Sequence, residues 1–142
     1  MNKYKNDASS LLQFVKFGLV GVANTGVDWL FFYLLINTIL SGSETVAKAL
    51  SFIVAMLNSY LFNTIWTFKG EYDKATGGDK SAAYGIFGKF VLVSGIGWAI
   101  NTLAFDYDRF HLDQSKIVSL IIASGAAIIW NFFANKFWTY KK

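Results

Sequence analysis

The side chains able to do chemistry here are amides, hydroxyls, ammonium groups and a carboxylate, set in or beside long apolar runs. Residues 60–70, YLFNTIWTFKG, and 132–142, FFANKFWTYKK, both spell aromatic-x-x-Asn-x-x-Trp-Thr-aromatic-Lys, placing Asn63 with Asn135 and Trp66 with Trp138. Asn24, Thr25 and Asp28 lie in an earlier apolar run, and Asn101 lies in a later one. Such groups bind a ligand by hydrogen bonds and charge without transforming it. The sequence offers no Ser-His-Asp set, no paired membrane carboxylates, no phosphate-cradling glycine loop and no metal-ligand spacing. The absence of cysteine removes thiolate nucleophiles and thiolate metal sites. A transporter or accessory subunit without a cofactor is expected, not an enzyme. His111, among Asp106, Asp108 and Asp113, reads as part of a solvated outer turn.

The elements that must position these groups follow from composition. Hydrophobic residues make up 54% of the 142-residue chain and charged residues 15%, where a soluble domain carries about 25% charged. Residues 49–68 and 117–135 hold no charge, 14–36 hold only Lys16 and Asp28, and 86–105 hold only Lys89. About 20 apolar residues cross a hydrocarbon core of about 30 Å. Four transmembrane helices are therefore predicted, at about 14–37, 46–68, 86–106 and 116–138. The first run is too long for a signal peptide and lacks a clear small-residue cleavage site. The net charge of +4 finds no soluble region able to carry a nucleic-acid-binding fold. It fits orientation instead. Lys3, Lys5, Lys16, Lys69, Lys74, Lys80, Lys89, Lys136, Lys141 and Lys142 fall on one side, against Lys48, Arg109 and Lys116 on the other. The positive-inside rule then places both termini and the central loop in the cytoplasm.

A shift of 73 aligns Phe14, Lys16, Phe17 and Val20 with Phe87, Lys89, Phe90 and Val93, and sets Asp28 over Asn101. A shift of 72 aligns Tyr60, Asn63, Trp66, Thr67 and Lys69 with Phe132, Asn135, Trp138, Thr139 and Lys141. The expected architecture is a single four-helix membrane domain made of two copies of a two-helix hairpin, about 14–69 and 86–142. A polar cytoplasmic linker at about 70–85 joins them. Two crossings per copy make the repeat parallel, so Asn63 and Asn135 share one depth. Trp66 and Trp138, each followed by lysine, have the pattern of interfacial anchors. At about 100° per residue, Gly21, Asn24, Thr25 and Asp28 share a face, as do Ser94, Gly97 and Asn101. Ser59 and Asn63 share a face of the second helix, and Ser124, Asn131 and Asn135 one of the fourth. Lys16 and Lys89 lie about 120° from the polar faces of their own helices. Asp28 carries an insertion cost of about 2.5–3.5 kcal/mol and reads as functional, with a salt bridge to Lys48 as the structural alternative. For the asparagines, interhelical packing is the competing reading.

The stretch KFGLVGVANTGVD at 16–28, Tyr-x-x-Asn-x-x-Trp-Thr-Phe at 60–68 and Phe-x-x-Asn-x-x-Trp-Thr-Tyr at 132–140 resemble the GtrA-like family of small four-helix membrane proteins. The resemblance spans about 12–142. It implies a role in cell-surface polysaccharide synthesis or teichoic acid glycosylation, by flipping a polyprenyl-phosphate-linked sugar across the cell membrane or by assisting the glycosyltransferase that makes it. Under that implication Lys16, Lys89, Lys136, Asn63 and Asn135 meet the lipid phosphate at the inner interface. Asn24, Thr25, Asp28 and Asn101 meet sugar hydroxyls deeper in the bilayer, with Asn131 on the fourth helix completing the substrate-binding set. Trp66, Trp138 or Trp98 stacks on a sugar ring. The mismatches Asp28/Asn101 and Thr64/Lys136 make two equal half-sites doubtful. A small proton-coupled multidrug exporter is the other alternative, disfavoured by the hairpin repeat and the lysine bias. So thin a bundle is expected to form a homo-oligomer, most simply a homodimer, among membrane lipids.

Overall fold

The computed structural model describes residues 2–141, and the side chains of these except 2–8, Arg109 and Lys116. Among the cations used above for orientation, Lys3, Lys5, Arg109, Lys116 and Lys142 therefore lie outside the described side chains. The described residues are helical almost throughout: α1 Asn2–Asn37, α2 Glu44–Phe62, α3 Lys69–Thr76, α4 Lys80–His111 and α5 Lys116–Ala134. Two five-residue π-helical segments, π1 Asn63–Thr67 and π2 Asn135–Thr139, extend α2 and α5. Four stretches are long and apolar enough to cross a membrane: Ser9–Asn37, Glu44–Thr67, Lys80–Asp108 and Ile117–Thr139.

The chain divides into two compact units, Met1–Lys69 and Gly70–Lys142. In the first, α1 packs along α2 and π1; in the second, α4 packs along α5 and π2. Small residues set both contacts. Ala47, Ser51 and Ala55 line the buried face of α2, and Ser119, Ala123 and Ala127 that of α5. A four-residue spacing keeps such residues on one helix face and lets the partner backbone approach closely. The fourth-helix stripe differs from expectation on this point, because Ser124 is exposed. Large side chains close the end of each hairpin that carries the π segment: Phe17, Val20 and Phe68 in the first unit, Ile86, Phe90, Val93, Phe132 and Tyr140 in the second. Outward-facing apolar residues are plentiful, with Val22 73%, Trp29 68%, Leu103 69% and Ile117 71% exposed. A surface of that kind is matched to hydrocarbon as solvent, not to water.

Three boundaries differ from the sequence reading. Helix α1 begins at Asn2, ahead of its apolar span, because Lys, Asn and Ser tolerate helix although they do not belong in lipid. Residues 70–85 are largely helical: α3 ends at Gly77 and Gly78, whose φ values of 54° and 87° suit glycine. Asp79 then caps α4 by accepting from the Ser81 amide at 2.9 Å. Helix α4 continues to His111, so Asp106, Asp108 and His111 are helical rather than in a loop, and the His111 ring stacks on Tyr107 at 5.0 Å.

Candidate functional site

Both Asn-x-x-Trp-Thr stretches fold as π turns, and the asparagine explains how. At the end of α2 the Asn63 amide N–H is shared between the Ser59 and Tyr60 carbonyls, and the Phe68 N–H then reaches back five residues to the Asn63 carbonyl at 2.7 Å. Such widening upsets the α-helical pairing of donors and carbonyls. The Asn63 side chain supplies an extra donor, its Nδ2 lying 2.9 Å from the Ser59 carbonyl and 3.2 Å from the Ser59 hydroxyl. The second unit follows the same plan: Tyr140 N–H donates to the Asn135 carbonyl at 3.0 Å, and Asn135 Nδ2 to the Asn131 carbonyl at 2.7 Å. Both asparagines are 1% exposed, and Asn63 Oδ1, Thr67 Oγ1, Asn135 Oδ1 and Thr139 Oγ1 are buried without a hydrogen-bond partner.

The wide turn buries asparagine and threonine while leaving Trp66 44% and Trp138 47% exposed. A lysine from the long helix of the same hairpin sits over each indole. Lys16 Nζ is 5.4 Å from the Trp66 ring centre, and Lys89 Nζ is 5.7 Å from that of Trp138. These are cation–π distances, worth about 0.5–1 kcal/mol at exposed sites. Lys89 Nζ also donates to the Trp138 carbonyl at 3.4 Å. Lys136 lies over Phe132 and Phe137, at 5.5 and 5.9 Å. The structure thus brings Lys16 to Trp66, in the π turn that Asn63 opens, and Lys89 to Trp138, in the π turn that Asn135 opens. A helical wheel of one helix cannot show this pairing, since each tryptophan comes from the neighbouring helix.

Farther along the first hairpin a polar seam joins α1 to α2. Asn58 Nδ2 donates to Asn24 Oδ1 at 2.6 Å, Ser51 Oγ to Asp28 Oδ1 at 2.5 Å, and Lys48 Nζ forms an ion pair with Asp28 Oδ2 at 3.4 Å. Asp28 therefore has the Lys48 partner considered from sequence and also the fully buried Ser51, which sequence reasoning missed. The signal was present: Lys48, Ser51, Ala55 and Asn58 recur at helical spacing on one face of α2. Thr25 is exposed and returns its hydroxyl to the Gly21 carbonyl at 3.1 Å, apart from this seam.

The second hairpin replaces the seam. Trp130 Nε1 donates across to the Val93 carbonyl at 3.1 Å. Asn131 fits against Gly97 so closely that a methyl group there would collide with its amide. Asn101 is half-buried on α4, and Trp98 is 61% exposed.

The family model of the GtrA/DPMS transmembrane domain matches residues 16–140. The chain belongs to that family. This GtrA-like chain is a multi-pass membrane protein, and the matched range runs from Lys16 through Tyr140, enclosing both π segments. The uncharacterized membrane protein YngA of Bacillus subtilis (strain 168) is 29% identical over 125 residues, covering 88% of the GtrA-like chain and 77% of its own length. No solved structure matches.

Proposed function

We propose that the protein translocates a polyprenyl-phosphate-linked sugar across the cell membrane for glycosylation of a cell-surface polymer, binding it without chemical change. The chain acts as two copies of one hairpin, with both termini and the linker at about 70–85 cytoplasmic. Membership of the GtrA/DPMS family supports a place in a glycosylation pathway that handles polyprenyl-phosphate sugars. The observation that carries the reading is the lysine held over a half-exposed indole at each π turn. A lipid phosphate offers lysine charge-assisted hydrogen bonds, stronger than its contact with a ring. Drawing Lys16 or Lys89 onto phosphate uncovers Trp66 or Trp138 for a sugar face. Lys136 adds charge within the second π turn. Asn24, Asp28 and Asn101 supply polar groups farther along α1 and α4.

The test is reconstitution in liposomes with a labelled polyprenyl-phosphate sugar, following exposure to an outside probe. Protein-dependent exposure is expected from the native chain, with loss in a Lys16→Gln/Lys89→Gln variant that still inserts and folds. No acceleration by the native chain would overturn the reading.

One observation favours a second reading, a membrane partner of a polyprenyl-phosphate glycosyltransferase. Helix α3 and the start of α4 form a cleft of about 470 Å³ lined by Tyr72, Asp73, Thr76, Gly78, Asp79, Lys80 and Ala83. The lining mixes apolar surface with the polar side chains of Tyr72, Asp73, Thr76, Asp79 and Lys80, a combination suited to contact with a soluble domain. Co-purification of a glycosyltransferase that depends on Tyr72 and Asp73, with no lipid transfer in liposomes, would establish it in place of translocation.

A further inference from the structure

We infer that a cleft on the first hairpin seats the head-proximal part of the hydrocarbon chain of a prenyl phosphate, with the phosphate on Lys16. The cleft encloses about 510 Å³ and is lined by Leu19, Val20, Ala23, Phe62, Ile65 and Trp66, a volume within the range of small-molecule sites. Its lining is almost entirely apolar, and its cation is contiguous with it. Lys16, Leu19, Val20 and Ala23 follow one face of α1 at i, i+3, i+4 and i+7. Trp66 both lines the cleft and receives the Lys16 ammonium at 5.4 Å. From Lys16 to Ala23 the bed runs about 10 Å along the helix. A single charge at one end of a short apolar bed complements a single-chain lipid phosphate.

The order of side chains at the matching positions, not their summed size, gives the cleft a side. Ala23 is small and exposed where Ile96 stands in the second hairpin, while Phe62 and Ile65 are matched there by Ala134 and Phe137, so only the first hairpin has its small residue on the long helix that carries the lysine. The chain seat is accordingly assigned to the first hairpin, while both hairpins offer lysine and indole to a head group. This inference rests on the translocation reading for the identity of the lipid. It adds to that reading by placing part of the chain on protein.

The experiment is native mass spectrometry of the full chain in detergent, titrated with undecaprenyl phosphate, phosphatidylglycerol or inorganic phosphate. Ala23→Leu, which fills the cleft from an exposed position, and Lys16→Gln are each expected to weaken undecaprenyl phosphate binding by at least about tenfold. Ile96→Leu in the second hairpin is expected to leave it unchanged. Ile65→Trp serves as a second filling variant should Ala23→Leu lower the melting temperature. Native-level binding by the filling variants would overturn the inference. So would equal, cleft-dependent retention of phosphatidylglycerol, which would make the cleft a seat for any membrane lipid, or full displacement by inorganic phosphate, which would leave Lys16 as a plain anion site. The two proposals separate cleanly. Unchanged binding in Ala23→Leu alongside native transfer in liposomes removes the cleft and leaves translocation standing. Cleft-dependent binding with no transfer does the reverse.

Discussion

Lys16 and Trp66 are fifty residues apart, and no property of either predicts that they meet. The matches of Lys16 with Lys89 and of Trp66 with Trp138 across the two shifts were legible in the sequence; the contact was not, because it depends on a π turn that rotates the indole toward the neighbouring helix. A wheel drawn at 100° per residue assumes an unbroken α-helix, and that assumption fails at Asn63 and Asn135. These asparagines read from sequence as either interhelical glue or ligand groups. Each side-chain amide donates inside its own helix, to the Ser59 and Asn131 carbonyls, while each Oδ1 remains buried and unpartnered. Asn63→Ala removes the donor to both the Ser59 carbonyl and the Ser59 hydroxyl and is expected to cost about 1–3 kcal/mol, read as a lower melting temperature, and to reduce lipid transfer further by letting π1 relax and turn Trp66 away. Asn63→Asp keeps the shape but loses the donor, so transfer close to native in that variant would show that the donor to Ser59 is dispensable. Lys16→Arg keeps the cation and is expected to retain most transfer, whereas Lys16→Gln should not. Equal transfer by the two would mean that charge at this position is irrelevant.

Helix pairs in lipid are held by close approach and by polar groups that have nowhere else to bond, and the two hairpins divide these means differently. The first uses Asn24–Asn58 and Asp28–Ser51–Lys48; the second uses the Trp130 indole and the Gly97–Asn131 fit. The polar stripe on α1 was legible as a stripe, but its partners on α2 were legible only as helical spacing, since sequence does not give the rotation of one helix against another. Lys48 is 63% exposed in its side chain, so Lys48→Gln is expected to change stability by less than about 1 kcal/mol. Ser51 is fully buried against the Asp28 carboxylate, and Ser51→Ala is expected to cost about 1–3 kcal/mol by leaving that oxygen short of a donor. Thermal melts in detergent distinguish these, and a larger loss from Lys48→Gln would reverse the assignment. Gly97→Ala is expected to destabilise by about 1–3 kcal/mol through overpacking against Asn131, with partial recovery in Gly97→Ala/Asn131→Ala. Gly125→Ala, where an added methyl meets open space, is the control and should be neutral.

At the scale of the molecule, four apolar spans were legible because charge is absent from windows of membrane length, and the structure returns helices at each of them. Helix α1, with 36 residues, and α4, with 32, exceed what a hydrocarbon core of about 30 Å requires, so parts of both stand outside it. The proposed orientation is open to direct measurement because the chain has no cysteine. Cysteines introduced singly at Ser43, Gln114 and Ala75 should react with a membrane-impermeant thiol reagent in intact cells at 43 and 114 and be protected at 75. The opposite pattern would invert the topology. The Gly77–Gly78 break carries a further consequence. Every hydrogen bond and cation–π contact described for the seam and π turn of the first hairpin lies before it, and those of the second lie after it. A gene divided at that glycine pair would encode two short polypeptides, each inserting with its own internal contacts intact, and joint expression of the two halves should restore what either alone lacks.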